Sequence, residues 1–144
     1  MDQVIEFVGN HYILSLGWVA IFIALVMSFV KSAFSAVKYL SPNELTLAVN
    51  RNDALVVDIR TRKEFTAGHI AGSRHIEMEK FHQNDFSALE KEKNKPIIVV
   101  CMAGVTASGV ASKLVKQGFE SVSLLQGGMN AWIGAGLPIV KSKK

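Results

Sequence analysis

One cysteine is all the thiol chemistry this chain holds. Cys101 has no partner for an internal disulfide and no second sulfur for a CxxC redox pair, which fits a reducing compartment and leaves a free thiol. His11, His69, His75 and His82 are scattered without the spacing of metal ligands, so no metal site is expected. Only three prolines occur, Pro42, Pro96 and Pro138, and no repeat or low-complexity segment interrupts the 144 residues. Aromatics make up 8% and do not interleave with a basic patch, so the net charge of +4 does not point to nucleic acid.

The longest gap is in charge. Between Glu6 and Lys31 there is no Asp, Glu, Lys or Arg, and Tyr12 to Val30 is almost purely apolar. At 1.5 Å per residue such a helix reaches about 28 Å, close to a bilayer's hydrocarbon thickness. A small domain cannot surround a helix that is apolar on every face, which argues against a buried core helix. A cleaved signal peptide is the stronger rival, since Ala33-Phe34-Ser35 offers small residues at cleavage-like spacing. Its usual basic n-region is missing, because Asp2 and Glu6 precede the span and no Lys or Arg does. Lys31 and Lys38 follow at once, so the positive-inside rule puts the C-terminal part in the cytoplasm. The expected organisation is an N-terminal tail (1–11), a transmembrane helix (12–30), a juxtamembrane linker (31–38), one globular domain (39–140) and a basic tail (141–144). Setting aside Asp2, Glu6 and Lys31, the rest of the chain carries 15 basic and 10 acidic residues. That excess suits anionic substrates or an anionic lipid surface.

Beyond the span, strands alternate with helices. Ser41-Pro42-Asn43-Glu44 starts a helix, with Ser41 as N-cap, Pro42 in the first turn and Glu44 at the third position. Ala54 to Asp58 and Pro96 to Cys101 are continuous apolar runs of strand length, as expected of parallel strands buried on both faces. Val122-Ser123-Leu124-Leu125 is another strand, and Tyr39-Leu40 a brief extended piece. Thr61 to Thr66 favours a short helix that Gly68 stops. Ile70 and Ile76 mark extended pieces around the turn Ala71-Gly72-Ser73. Met78 to Glu92 is helical in part, with Phe81, Phe86 and Leu89 inward. A helix is expected from about Thr106 to Gln117, with Val110, Ala111, Leu114 and Val115 at helical spacing. Gly127-Gly128 then turns the chain into a last helix from Met129 to Gly134. This order argues for an α/β domain around a parallel sheet.

In open α/β sheets, ligands collect beyond the carboxyl ends of strands. Cys101 is placed there, at the end of the central strand, and Met102-Ala103-Gly104-Val105 leads straight into a helix. Gly104 can adopt backbone angles that turn successive N–H groups inward. Those amides and the helix N-terminus favour a thiolate and a bound anion, with Thr106 and Ser108 as added hydroxyl donors. The competing interpretation is that Cys101 is a small buried hydrophobe.

Three ordered motifs give this thiol a family context. The segment Asp58-Ile59-Arg60-Thr61-Arg62-Lys63-Glu64-Phe65-Thr66-Ala67-Gly68-His69-Ile70-Ala71-Gly72-Ser73 closely resembles the rhodanese signature D-x-R-x-x-x-E-[FY]-x-x-G-H-I-x-G-[SA]. Gly127-Gly128-Met129-Asn130-Ala131-Trp132, followed by Gly136-Leu137-Pro138, resembles the family's closing G-G-x-x-x-W-x-x-x-G-x-P. Cys101 lies between them in the expected order, and the similarity runs from Tyr39 to Pro138. The resemblance implies a rhodanese-like α/β fold, a parallel five-stranded sheet with helices on both faces, here preceded by one transmembrane helix. It also implies sulfur transfer. Cys101 takes sulfur from a small anionic or thiol donor, holds it as a transient persulfide without any other cofactor, and passes it to a thiol acceptor. Met102, Ala103, Gly104, Val105, Thr106 and Ala107 then form the substrate-binding loop. Asp58, Arg60, Glu64, Gly68, His69, Gly72, Gly127, Gly128 and Trp132 are structural. Arg60 and Glu64 have the i, i+4 spacing of a helical ion pair, and Asp58 can cap or pair with Arg60.

Departures from the pattern shape the expected activity. Many single-domain rhodaneses carry Arg five residues after the cysteine, where Thr106 stands here. Gly104 to Ala107 instead resembles the tandem-domain thiosulfate and mercaptopyruvate sulfurtransferases, of which the thiosulfate enzymes have basic residues just after the cysteine; Met102 and Ala103 supply none. Without a guanidinium fork or an ammonium, weak thiosulfate activity is expected. One alternative is a catalytically weak rhodanese module that binds a protein or senses redox state. A related phosphatase or arsenate reductase would need Arg six residues after the nucleophile, and position 107 is Ala. A membrane-tethered adaptor with an incidental thiol is a third. The expected setting is a bacterial inner membrane, with the bilayer itself and a membrane protein as partners.

Overall fold

A computed structural model describes residues 1–34 and 37–142 of the chain. Two compact units are present, one over Met1–Ala36 and the other over Val37–Lys144. In the first, α1 (Asp2–Asn10) precedes α2 (Tyr12–Phe34). The sequence pattern gave no helix over the tail that contains α1. Tyr12–Val30 within α2 is long and apolar enough to cross a membrane by length and composition. Its apolar side chains, Trp18 and Phe22 among them, stand exposed around the helix.

The second unit has the five strands expected. They are β1 (Lys38–Leu40), β2 (Leu55–Asp58), β3 (Arg74–His75), β4 (Ile97–Val100) and β5 (Val122–Leu125). All pair in parallel, in the order β1-β5-β4-β2-β3. Between them run α3 (Pro42–Asn52), α4 (Arg62–Ala67), α5 (Met78–His82), a 3-10 helix over Ser87–Glu92, α6 (Thr106–Lys116) and, last, α7 (Gly128–Gly134). The expected linker is shorter than 31–38, because α2 continues to Phe34, Val37 packs on the core and Lys38 is in β1. Ser35, Ala36, Lys143 and Lys144, which complete the expected linker and tail, lie outside the described residues.

Alternation along the strands sorts the apolar runs onto two faces. Ile97, Val99 and Cys101 share a core with Val57, Val122 and Leu124, roofed by Phe81, Leu89, Val110 and Leu114 of α5, the 3-10 helix and α6. Ile98, Val100, Val56 and Leu125 share the other core with Leu45 of α3 and Met129 and Trp132 of α7. Each such side chain contributes about 1.5–3 kcal/mol when fully buried. β4 is the central strand of the five, with β5 and β2 on its two edges and both its faces covered. It ends at Val100, so Cys101 is the first loop residue rather than the last strand residue, and its side chain keeps the facing of Ile97 and Val99.

Candidate active site

Cys101 Sγ accepts the N–H of Gly104 at 2.9 Å. The residue is 3% exposed, at the carboxyl end of the central strand. Gly104 reaches this position with φ +86, and a Cβ there would stand 3.0 Å from the Gly127 nitrogen and 3.3 Å from the Leu125 carbonyl oxygen. Only glycine combines that angle with that closeness.

The turn Gly127-Gly128 holds the loop from the opposite side. Met129 N–H donates to the Cys101 carbonyl at 2.8 Å, and Asn130 N–H donates to the Met102 carbonyl at 3.0 Å. The first free amides of α7 are thus spent on the loop backbone. Gly128, at φ +58, leaves no room for a Cβ, which would collide with the Cys101 carbonyl and the Met102 backbone. In a trans peptide the N–H points away from its C=O. With both carbonyls drawn to α7, the N–H groups of Met102 and Ala103 face away from it.

Other expectations for the loop are revised. Among the described residues, the several amides anticipated around the sulfur reduce, at hydrogen-bond distance, to Gly104. Ser108 Oγ donates to the Val105 carbonyl at 2.8 Å, and Thr106 is exposed with no bond to the sulfur, so neither hydroxyl serves the thiol. Ala107 is fully buried in the core and puts no side chain at the mouth. The mouth is apolar instead, with Met102 37% and Val105 77% exposed and Ala103 exposed between them. A groove of about 380 Å³ adjoins it, at the edge of the sheet where β1 and β5 pair.

The first sequence motif builds the neighbouring loop. Asp58 is paired in register with Val100, and Ile59 N–H donates to the Val100 carbonyl at 3.0 Å. Asp58 and Arg60 are both buried; Arg60 Nη2 meets Asp58 Oδ2 at 2.7 Å and donates to the Gly68 carbonyl at 2.7 Å. Arg60 Nε adds a bond to Asp58 Oδ1 at 3.0 Å. The anticipated Arg60–Glu64 ion pair does not form, because Arg60 precedes α4 and turns back to Asp58. Glu64 instead closes a capping box with Thr61, a T-x-x-E signal visible in the sequence and passed over there. The hydrogen bonds from the Thr61 hydroxyl and then its N–H hold the Glu64 carboxyl below the usual carboxylate range.

His69 follows α4 and bridges to the C-terminal segment. Its Nδ1 lies 2.8 Å from the Phe65 carbonyl, its ring stacks on Phe65 at 3.8 Å, and its backbone pairs with Val140. His75, not singled out from sequence, stacks on Phe65 at 4.6 Å and places Nε2 2.8 Å from the Arg60 carbonyl. Gly72 turns the chain at φ +75. Trp132 is buried, and its Nε1–H donates to the Pro138 carbonyl at 3.0 Å. Among the described residues no group of His, Cys, Asp and Glu is arranged to hold a metal ion.

Known proteins share this arrangement. The profile of the rhodanese-like domain matches residues 41–135. The uncharacterized Escherichia coli K12 protein YibN is 41% identical over 143 residues, covering 99% of this chain and 100% of its own length. The thiosulfate sulfurtransferase GlpE of Pseudoalteromonas translucida is 37% identical over 100 residues, or 69% of this chain and 92% of GlpE. Among solved structures, a rhodanese-like domain protein from Staphylococcus aureus superposes with a TM-score of 0.63 at 26% identity, covering 74% of this chain and all of that one. With a five-stranded parallel sheet, a cysteine loop at its carboxyl end and a family match across two thirds of its length, the chain belongs to the rhodanese-like domain family.

Proposed function

We propose that the chain is a membrane-anchored sulfurtransferase that carries sulfane sulfur on Cys101 as a persulfide. The observation that carries this is the N–H of Gly104 aimed at Sγ, in a loop whose carbonyls are tied away by α7. A thiolate accepts such a donor more strongly than a thiol does, and so does the terminal sulfur of a persulfide. The thiolate attacks the outer sulfur of a donor, a new S–S bond forms on Sγ, and the donor's remainder leaves with the electron pair. An acceptor thiolate then repeats the exchange at the outer sulfur. Backbone donors suffice for this chemistry, so His69, stacked and bonded within its own turn, has no call to act as a base. GlpE is named as a thiosulfate sulfurtransferase, which supports the same reaction class for this chain.

Intact-mass analysis after incubation with several sulfur donors tests the proposal. The expected outcome is a gain of one sulfur atom that Cys101→Ala abolishes. Absence of loading with every donor favours the second reading, a catalytically weak module used for protein binding or redox sensing, which the near-sealed sulfur and the uncharged mouth support. Tyr12–Val30 serves as a single-pass anchor in a bacterial inner membrane, with the domain in the cytoplasm by the charge bias of Lys31 and Lys38. Modification of Cys101 by impermeant thiol reagents in intact cells, without lysis, would contradict that orientation.

A further inference from the structure

The groove beside the mouth and the sulfur's loop have Gly104 in common. Its N–H donates to Sγ, while its Cα packs closely against the Gly127 and Leu125 backbone. Tyr39, Val105 and Leu124 give the groove apolar walls, and Ser108 and Gln126 are its polar side chains. Tyr39 is 59% exposed, a large aromatic left uncovered at a reactive edge. Apolar surface retained in a concave site next to a nucleophile is what a ligand subsite presents. Among the described residues no Lys, Arg or His lines the groove, and none stands in Met102–Ala107. A carboxylate or sulfonate placed there would lose hydration without meeting a counter-charge.

Resting on the sulfur-transfer reading, we infer that this groove holds the uncharged carrier group of an organic persulfide, R–S–SH, with Tyr39 and Val105 selecting an apolar R. An S–S bond of about 2.05 Å separates the transferred atom from the carrier's own sulfur. R is thereby carried clear of the sulfur itself, and the groove walled by Gly104 is the concave apolar surface next to it. The Cys101 thiolate attacks the outer sulfur of R–S–SH, and the Sγ–S bond forms as the donor's S–S bond breaks. The electron pair leaves on RS⁻, which takes a proton from solvent, and Cys101 is left as Sγ–SH. Atoms, charge and electrons balance with no added oxidant or reductant.

Loading kinetics by intact mass, on the full chain in detergent, test the assignment with benzyl persulfide, glutathione persulfide and thiosulfate. The two persulfides share their reacting sulfurs and differ in carrier charge. Each rate is divided by that donor's rate with free cysteine, which removes intrinsic reactivity. Benzyl persulfide is expected to lead glutathione persulfide by about tenfold or more, the scale of discrimination an apolar pocket provides. Tyr39→Ala should close most of that gap, and Val105→Arg should raise loading from the two charged donors. A charged donor that matches benzyl persulfide on the wild-type chain, or a gap untouched by Tyr39→Ala, overturns the groove assignment and leaves sulfur transfer standing. Failure to load from any of the three removes the sulfur-transfer reading and this inference together.

Discussion

The sulfur of Cys101 lies within the core packed under α6, yet a peptide N–H reaches it, so it is neither open to water nor sealed in hydrocarbon. A buried thiol with one donor and an apolar mouth reacts with what can enter, and the loop's residue types set that filter more than the cysteine does. The Asp58–Arg60 pair next door shows the opposite use of burial. Both charges are out of water, and three carboxylate–guanidinium contacts with the Gly68 carbonyl satisfy them. Removing one partner strands the other, at a cost of about 3–5 kcal/mol. Asp58→Ala is therefore expected to lower the thermal midpoint strongly, whereas Asp58→Ala combined with Arg60→Met should recover much of the loss. Equal midpoints for the single and double variants would contradict a stranded-charge cost.

Helix termini do two different jobs here. At α3 and α4 they are closed by capping boxes, Ser41 with Glu44 and Thr61 with Glu64. Thr61→Ala should cost about 1 kcal/mol and return the Glu64 pKa toward its ordinary value. With a folded pKa below the unfolded one, the Glu64 contribution is fully present above 4.5 and fades as pH falls through the lower folded value. The gap in stability between wild type and Thr61→Ala should accordingly shrink on acidification, as measured by unfolding at a series of pH values. At α7 the free amides are not capped by a side chain but hold the cysteine loop. Gly128→Ala, which drives a Cβ into the Cys101 carbonyl, should displace the loop and reduce persulfide loading at least tenfold, a loss of about 1.4 kcal/mol in the barrier. Gly134→Ala, with nothing within 4 Å of its Cβ, should leave loading unchanged.

As a whole, the molecule divides its labour between two units with opposite surface chemistry. Residues of α2 expose apolar side chains all round, while the domain from Val37 onward buries its own on both faces of a sheet. Residues 37–144 expressed alone should be soluble, monodisperse by size-exclusion chromatography and folded by circular dichroism, and should load sulfur at the rate of the full chain. The full chain should require detergent. A truncated domain that aggregates would contradict a domain that folds by itself.

Periodicity and turn residues made the elements legible in advance. Parallel strands buried on both faces leave apolar runs, and Leu55–Asp58 and Ile97–Val100 could be read off as such, with Val122–Leu125 broken only by Ser123. The order of motifs around Cys101 carried the family, and the charge gap before Lys31 carried the candidate span, because length, hydropathy and local backbone demands are properties of adjacent residues. Contacts between distant segments were another matter. That α7 grips the carbonyls of Cys101 and Met102, and that His69 pairs its backbone with Val140, depend on how loops far apart in the chain meet. A linear pattern encodes which face a side chain takes; which partner waits there is decided only when the strands close in parallel and bring their carboxyl ends together.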